Sequence, residues 1–262
     1  MAVTIGFNLF VIDTFARLHG AKAFIETMSA GIPMLEEKER LYLERRATDR
    51  QWEYEDYAVE RDILGRNFET WIPTFAAYSG TVLLYSIVET QLSAFAEYVG
   101  KKRGSRVRVK DMADKGIDRS AKYLDLVLSI NLKKDPAWSR LRDLQSLRNF
   151  IMHSDGKRGD SGEHAIDDLV ERYKGKLEFR ATDGFGLYEQ IWISMDLCRE
   201  FARWSEEFFE RVFRIAGLTR HGLSMVNGQE GNTVTRILVA RPWIWSRRFP
   251  KNRSAHQFVC QS

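Results

Sequence analysis

From Thr70 to Val88 the chain carries no charged residue, and Glu89 follows directly. A run of this length is about enough to cross a bilayer. It contains Pro73, Ser79, Gly80, Thr81 and Ser86, however, and reads better as the buried helix of a soluble bundle. Proline is tolerated in the first turn of a helix, so Pro73 is expected to open this one. Gly100-Lys-Lys-Arg-Gly104 is expected to close it near Val99. Ala77, Thr81, Leu84, Val88, Leu92 and Phe95 recur at three- and four-residue spacing and define one face. Val82, Tyr85 and Ala96 flank Glu89 on another. A helix this apolar has to be enclosed, and the rest of the chain is read as what encloses it.

Three further helices fit. One runs from about Asp118, a good N-cap residue, to Ile130. Another opens after Pro136 and ends near His153, with Leu141, Leu144, Leu147, Phe150 and Ile151 on its apolar side. The last spans about Ser194 to Ala216, with Leu197, Phe201, Trp204, Phe208, Phe209 and Val212 apolar and Gly217 closing it. Lys176 to Ala181, a turn at Asp183-Gly184, and Leu187 to Ile193 read as a short β-hairpin. The expected fold is therefore mainly α, an up-and-down bundle of helices at about 74–99, 118–130, 137–153 and 194–216 with a small hairpin insertion.

Before this core, residues 1–66 read as an N-terminal helical extension. Its first part is apolar but broken by Gly20, Gly31 and Pro33. From Leu35 to Arg66 the pairs Glu36/Arg40 and Tyr57/Arg61 sit at helical spacing, and Trp52, Val59 and Ile63 fall near one side. Residues 67–217 form the bundle and 218–262 a basic tail. From Leu218 onward seven Arg and Lys stand against one Glu, a net +6 in a chain of net +4, so the body sums to −2. The basic character thus reads as a property of the tail. There Trp243, Trp245 and Phe249 interleave with Arg247 and Arg248, a composition suited to base stacking or to a packed tail.

Charged residues at 29% fit a soluble protein, and no membrane partner is expected. The N-terminal apolar run lacks a preceding basic region and makes a poor signal peptide. Cys198 and Cys260 match no metal or redox spacing, which suits free thiols in a cytoplasmic protein. His19, His164, His221 and His256 are scattered. With no phosphate-binding glycine loop, paired metal-ligand motif or serine elbow, neither a metal nor a cofactor is expected.

The chemistry-bearing residues lie at the end of the third helix, in Arg148-Asn-Phe-Ile-Met-His153 followed by Ser-Asp-Gly156. Asn149 and His153 share a helix face, and Arg148 projects on its flank. Histidine both accepts and donates protons under neutral conditions. Arginine grips a phosphate with two prongs and stabilises added negative charge in a transition state. Plainer roles exist: His153 satisfying a helix carbonyl, Arg148 paired with Glu89 or Asp143, and Asn149 capping the helix end. Glu89, a carboxylate in an apolar helix, needs a partner. The cations at Lys101 to Arg103, Arg106, Arg108 and Lys110, with Lys157 and Arg158, either track a nucleic-acid backbone or form a solvated surface. Arg142, on the motif helix, is a further candidate contact.

This Arg-Asn…His pattern at the end of a bundle helix resembles the signature of the HEPN superfamily (higher eukaryotes and prokaryotes nucleotide-binding) over about residues 74–217. The resemblance implies an all-helical fold and a metal-independent endoribonuclease acting on RNA as a homodimer. It implies Arg148, Asn149 and His153 as catalytic residues and Glu89 as the acidic residue on the neighbouring helix. Lys157, Arg158 and Arg142 are then RNA contacts. Enzymes of that family serve in toxin–antitoxin and antiviral systems, often restrained by an antitoxin or other regulatory protein. A non-catalytic HEPN-like module binding RNA, a nucleotide or a protein stays open, as does a structural bundle whose motif is coincidental.

Overall fold

The computed structural model describes residues 8–159, 164–181 and 188–218, all within one compact unit. The tail readings and the Asp183-Gly184 turn lie outside the described residues. Helices α1 (Leu9–Asp49) and α2 (Tyr54–Arg66) come first, then a π-helical turn (Asn67–Trp71) and α3 (Ile72–Lys102). There follow α4 (Gly116–Leu128), α5 (Trp138–Ser154), α6 (His164–Arg172), strands β1 (Leu177–Ala181) and β2 (Glu189–Ile193), and α7 (Met195–Ile215). The two strands pair antiparallel, Leu177 opposite Ile193 and Phe179 opposite Ile191. The fold is mainly α with one small hairpin.

Helix α3 is the centre, packed by α1, α4, α5 and α7. All six residues of its expected face are buried. They meet Leu141, Leu144 and Leu147 of α5 and Phe201, Phe208, Phe209 and Phe213 of α7 in one continuous core. Phe213 presents its edge to Phe95 at 5.2 Å and to Phe15 at 5.9 Å between ring centres. Serine 194 caps α7 by accepting from the Leu197 amide at 3.2 Å. Gly217, at φ +72, closes that helix, its amide bonding the Arg214 carbonyl. One helical stretch, Tyr54–Lys102, holds a window long and apolar enough to cross a membrane, and half of that window is buried inside the bundle.

Three expectations are corrected. The breaks expected at Gly20, Gly31 and Pro33 do not occur: α1 runs unbroken through all three and supplies core. Its Val11, Phe15, Leu18 and Ile25 are buried, at about 1.5–3 kcal/mol each, and Thr14 donates to Gln91 of α3 at 2.9 Å inside the core. The amphipathic helix expected over Leu35 to Arg66 is instead a helical hairpin. It breaks at Arg50 to Glu53, where Gln51 has φ +52, and Val59 and Ile63 remain exposed. Pro73 stands in the first turn of α3, as expected, and the π turn before it, where the Ile72 amide bonds the Asn67 carbonyl, carries the chain past the bond proline cannot make. Finally, α4 starts at Gly116 after Lys115, so Asp118 is within its first turn and not its cap.

Candidate active site

The site is built on the last two turns of α5, whose inner side is fixed by Leu144, Leu147, Phe150 and Ile151. Asp143, one turn earlier, is buried and ties α5 to α6 through Arg172 and through the Tyr173 hydroxyl at 2.7 Å. Burial first, then this carboxylate, push the Tyr173 phenol well above its usual range. Asp143 is therefore already satisfied and does not serve Arg148. At the other end, Asp155 (φ 55) and Gly156 (φ 70) turn the chain out of the helix. A Cβ on Gly156 would overlap the Tyr78 hydroxyl, which donates to the Ile191 carbonyl of β2 at 2.8 Å. Only glycine meets both demands, so this residue locks the motif's end against α3 and the hairpin.

Arg148 is half-buried, and among the described residues it pairs with neither Glu89 nor any other carboxylate within 4 Å. Its guanidinium carbon lies 5.6 Å from the centre of the Tyr85 ring. One Nη donates to Asn149 Oδ1 at 3.0 Å, and its Nε is buried without a hydrogen-bond partner. An unmet donor of this kind costs on the order of 1–3 kcal/mol. Arg148 is thus a cation held by an aromatic ring and an amide, with donor capacity to spare.

Tyr85, Glu89 and Gln145 converge on the start of α4. A Cβ built on Gly116 (φ +58) would stand 2.7 Å from Gln145 Nε2, 2.9 Å from Tyr85 Oη and 3.6 Å from Glu89 Oε1. Burial and then the Glu89 carboxylate raise the Tyr85 phenol to about 12, opposed by the Ile117 amide, Arg148 and Gln145. Glu89 accordingly acts beside Tyr85 rather than as the ion-pair partner of Arg148.

Asn149 is exposed, and its Oδ1 accepts from Arg148, so it helps to hold the guanidinium. His153 is exposed on the last turn and makes no hydrogen bond or ion pair among the described residues. The hydroxyl of the next residue, Ser154, donates to the Phe150 carbonyl at 2.6 Å. Of the expected RNA contacts, two are committed elsewhere. Arg158 binds Glu189 at 3.0 Å and Asp167 at 2.8 Å and covers the Phe179 ring at 4.7 Å. Arg142 pairs with Asp118 of α4. Lys157 is looser, 3.5 Å from Asp155 and 5.9 Å from the Tyr188 ring centre.

Gln145 was not singled out from sequence, and Tyr85 was read only as a flank of Glu89. Tyr85 lies one turn before Glu89, and Gln145 one turn before Arg148 and Asn149. That spacing was the available signal. Among the described residues no group of three His, Cys, Asp or Glu side chains converges as a metal site. No protein-family model, curated protein or solved structure matches the chain.

Proposed function

We propose that the protein is a HEPN-like endoribonuclease that cleaves RNA without a metal ion. The observation that carries this reading is Arg148, a half-buried cation with no carboxylate partner among the described residues, on the same helix end as a solvent-open His153. The two are about 7.5 Å apart along the helix axis at 1.5 Å per residue. In the reaction a base takes the proton of the ribose 2′-hydroxyl, whose oxygen attacks the adjacent phosphorus. An acid returns a proton to the departing 5′-oxygen, leaving a 2′,3′-cyclic phosphate and a 5′-hydroxyl. Arg148 stabilises the added charge on the phosphorane oxygens. One chain offers one His153, so a two-fold dimer supplies both acid and base. The exposed, uncharged side of α3 (Phe75, Ser79, Leu83, Ser86), together with Met152 of α5, suits such an interface. The biological setting that goes with this reading is a cytoplasmic toxin or antiviral effector restrained by a partner protein.

The unpartnered state of His153 favours a second reading, a HEPN-like module that binds RNA, a nucleotide or a protein and does not cut. Incubating purified protein with RNA in EDTA, beside His153→Ala, separates the two. Cyclic-phosphate ends that depend on His153 are expected. Full cleavage by folded His153→Ala protein overturns the enzymatic reading, and binding without cleavage by the wild-type chain establishes the second.

A further inference from the structure

The net −2 of the body hides a strong local excess. Residues 101–134 hold eleven Lys and Arg against four Asp, a net +7, which leaves −9 for the rest of the body. We infer that the connection between α3 and α4 is a phosphate-tracking surface that delivers single-stranded RNA to the Arg148 end of α5; the inference rests on the proposed RNA-cleaving function.

Lys101, Lys102, Arg106, Lys110 and Lys115 are all exposed, and none makes an ion pair within 4 Å among the described residues. They differ in this from Arg158 and Arg142, whose charge is already spent on carboxylates. The connection is also held in shape. Val109 is buried and its amide donates to Glu97 of α3 at 3.3 Å. The Tyr123 hydroxyl of α4 donates to the Val107 carbonyl at 2.9 Å and lies against Gly100, where a Cβ would overlap it. Arg108 and Asp111 close a 3₁₀ turn between them. Pinned backbone with outward cations binds a polyanion at a small cost in ordering.

The surface joins the candidate site. Lys115 directly precedes Gly116, around which Tyr85, Glu89 and Gln145 converge. From Glu89 to Lys101 along α3 is about 18 Å at 1.5 Å per residue, a span of several nucleotides. At the far end a recess of about 250 Å³ opens between the ends of α3, α4 and α7, with Tyr98, Val99 and Leu128 as walls and Lys102 and Arg103 at its rim. Cations beside a largely apolar recess suit a flexible strand that can lay its phosphates on the cations and a base in the recess, and favour single-stranded RNA over an acidic protein.

The test uses full-length His153→Ala protein, which keeps the RNA intact, and a fluorescent single-stranded RNA in EDTA, read by anisotropy over a range of salt. Lys101→Gln/Lys102→Gln/Arg106→Gln in that background is expected to bind at least about tenfold more weakly. The slope of log affinity against log salt should fall by about 2, at roughly 0.7 per lost phosphate contact. A control, Lys38→Gln/Arg45→Gln/Lys174→Gln, removes three exposed cations that also make no ion pair, and should bind like the parent. Equal binding by the two triple variants overturns the inference. So does equal binding of a poly-glutamate peptide of matched charge, which would assign the surface to an acidic partner. Wild-type protein is assayed for cleavage in parallel. Loss of binding in the first triple variant with no wild-type cleavage upholds the surface and removes only the catalytic reading, whereas cleavage unchanged by that triple change removes the surface alone.

Discussion

The guanidinium of Arg148 rests over the ring of Tyr85, 5.6 Å from its centre, and Glu89, one turn further along the same helix, does not reach it. This separates what holds the arginine from what would use it. A partly exposed cation over an aromatic face is worth about 0.5–1 kcal/mol, and a buried ion pair broken on one side costs far more. Arg148→Ala is therefore expected to lower the melting temperature by no more than about 4 °C while abolishing RNA cleavage. Arg148→Lys should not restore activity, because an ammonium lacks the forked contact. Glu89→Gln should leave the melting temperature nearly as it is. A large drop for both variants, by calorimetry, would return them to an ion pair.

Gly156 gives a stability test next to the same site. Gly156→Ala places a side chain at φ +70 and against the Tyr78 hydroxyl. The left-handed backbone costs about 1–2 kcal/mol. Losing the bond from Tyr78 to the Ile191 carbonyl adds roughly 1 kcal/mol. A fall of about 5–10 °C in melting temperature is expected. Gly159→Ala, where a Cβ meets nothing within 4 Å, should leave it unchanged. Equal effects at both positions would remove the special role of Gly156.

The dimer of the proposed mechanism predicts a solution mass near twice 30.5 kDa by light scattering at micromolar concentration. Leu83 of α3 is 38% exposed and Met152 of α5, within the motif, is 54% exposed. Leu83→Glu and Met152→Glu should each shift the protein to monomer and remove cleavage with little change in the monomer's fold by circular dichroism. A monomeric wild-type chain that cleaves RNA would break the two-histidine mechanism.

The central helices were legible because their burial is written as a period: the apolar positions of α3, α5 and α7 all face the core they were assigned, with Trp204 at its edge. Helix α1 was not, since Gly20, Gly31 and Pro33 argue locally against a helix. Long-range packing of Val11, Phe15 and Leu18, with the Thr14 bond to Gln91, overrides that preference. Helix α6 was missed for a related reason, its few apolar positions Ile166, Leu169 and Val170 being set among Asp167, Asp168, Glu171 and Arg172. At the site, the placement of Arg148, Asn149 and His153 on one helix end followed from spacing alone. What Arg148 touches did not, because Tyr85 is a tertiary neighbour. Charge was legible in the local run and hidden in the sum: the body looks slightly acidic although residues 101–134 alone carry +7, and what the fold adds is which of those cations lack an ion pair among the described residues.

Buried acidic protons set the last prediction. Burial raises the Cys198 thiol from 9.0 to about 11, against the opposing effect of Thr81, and raises the Tyr85 phenol from 10.0 to about 12. Tyr78 and Tyr173 are raised as well, burial again being the main cause. Between the unfolded and folded values the native chain keeps protons that the unfolded chain has released. The unfolded state then binds fewer protons, so stability falls as pH rises. The contribution is complete below about pH 9, begins to go as the thiol of the unfolded chain ionises, and falls further as its phenols ionise above about pH 10. Melting temperature should hold level from about pH 7 to 8.5 and then drop progressively. Cys198→Ala should flatten the first part of the drop, and Tyr85→Phe the part beginning near pH 10. Native Cys198, with its Sγ 3.7 Å from both Thr81 Oγ1 and the Ala77 carbonyl, should resist iodoacetamide near pH 8 until the chain is unfolded. A melting temperature that stays flat to about pH 11, or rapid alkylation of folded Cys198, would contradict the buried, protonated state of these groups.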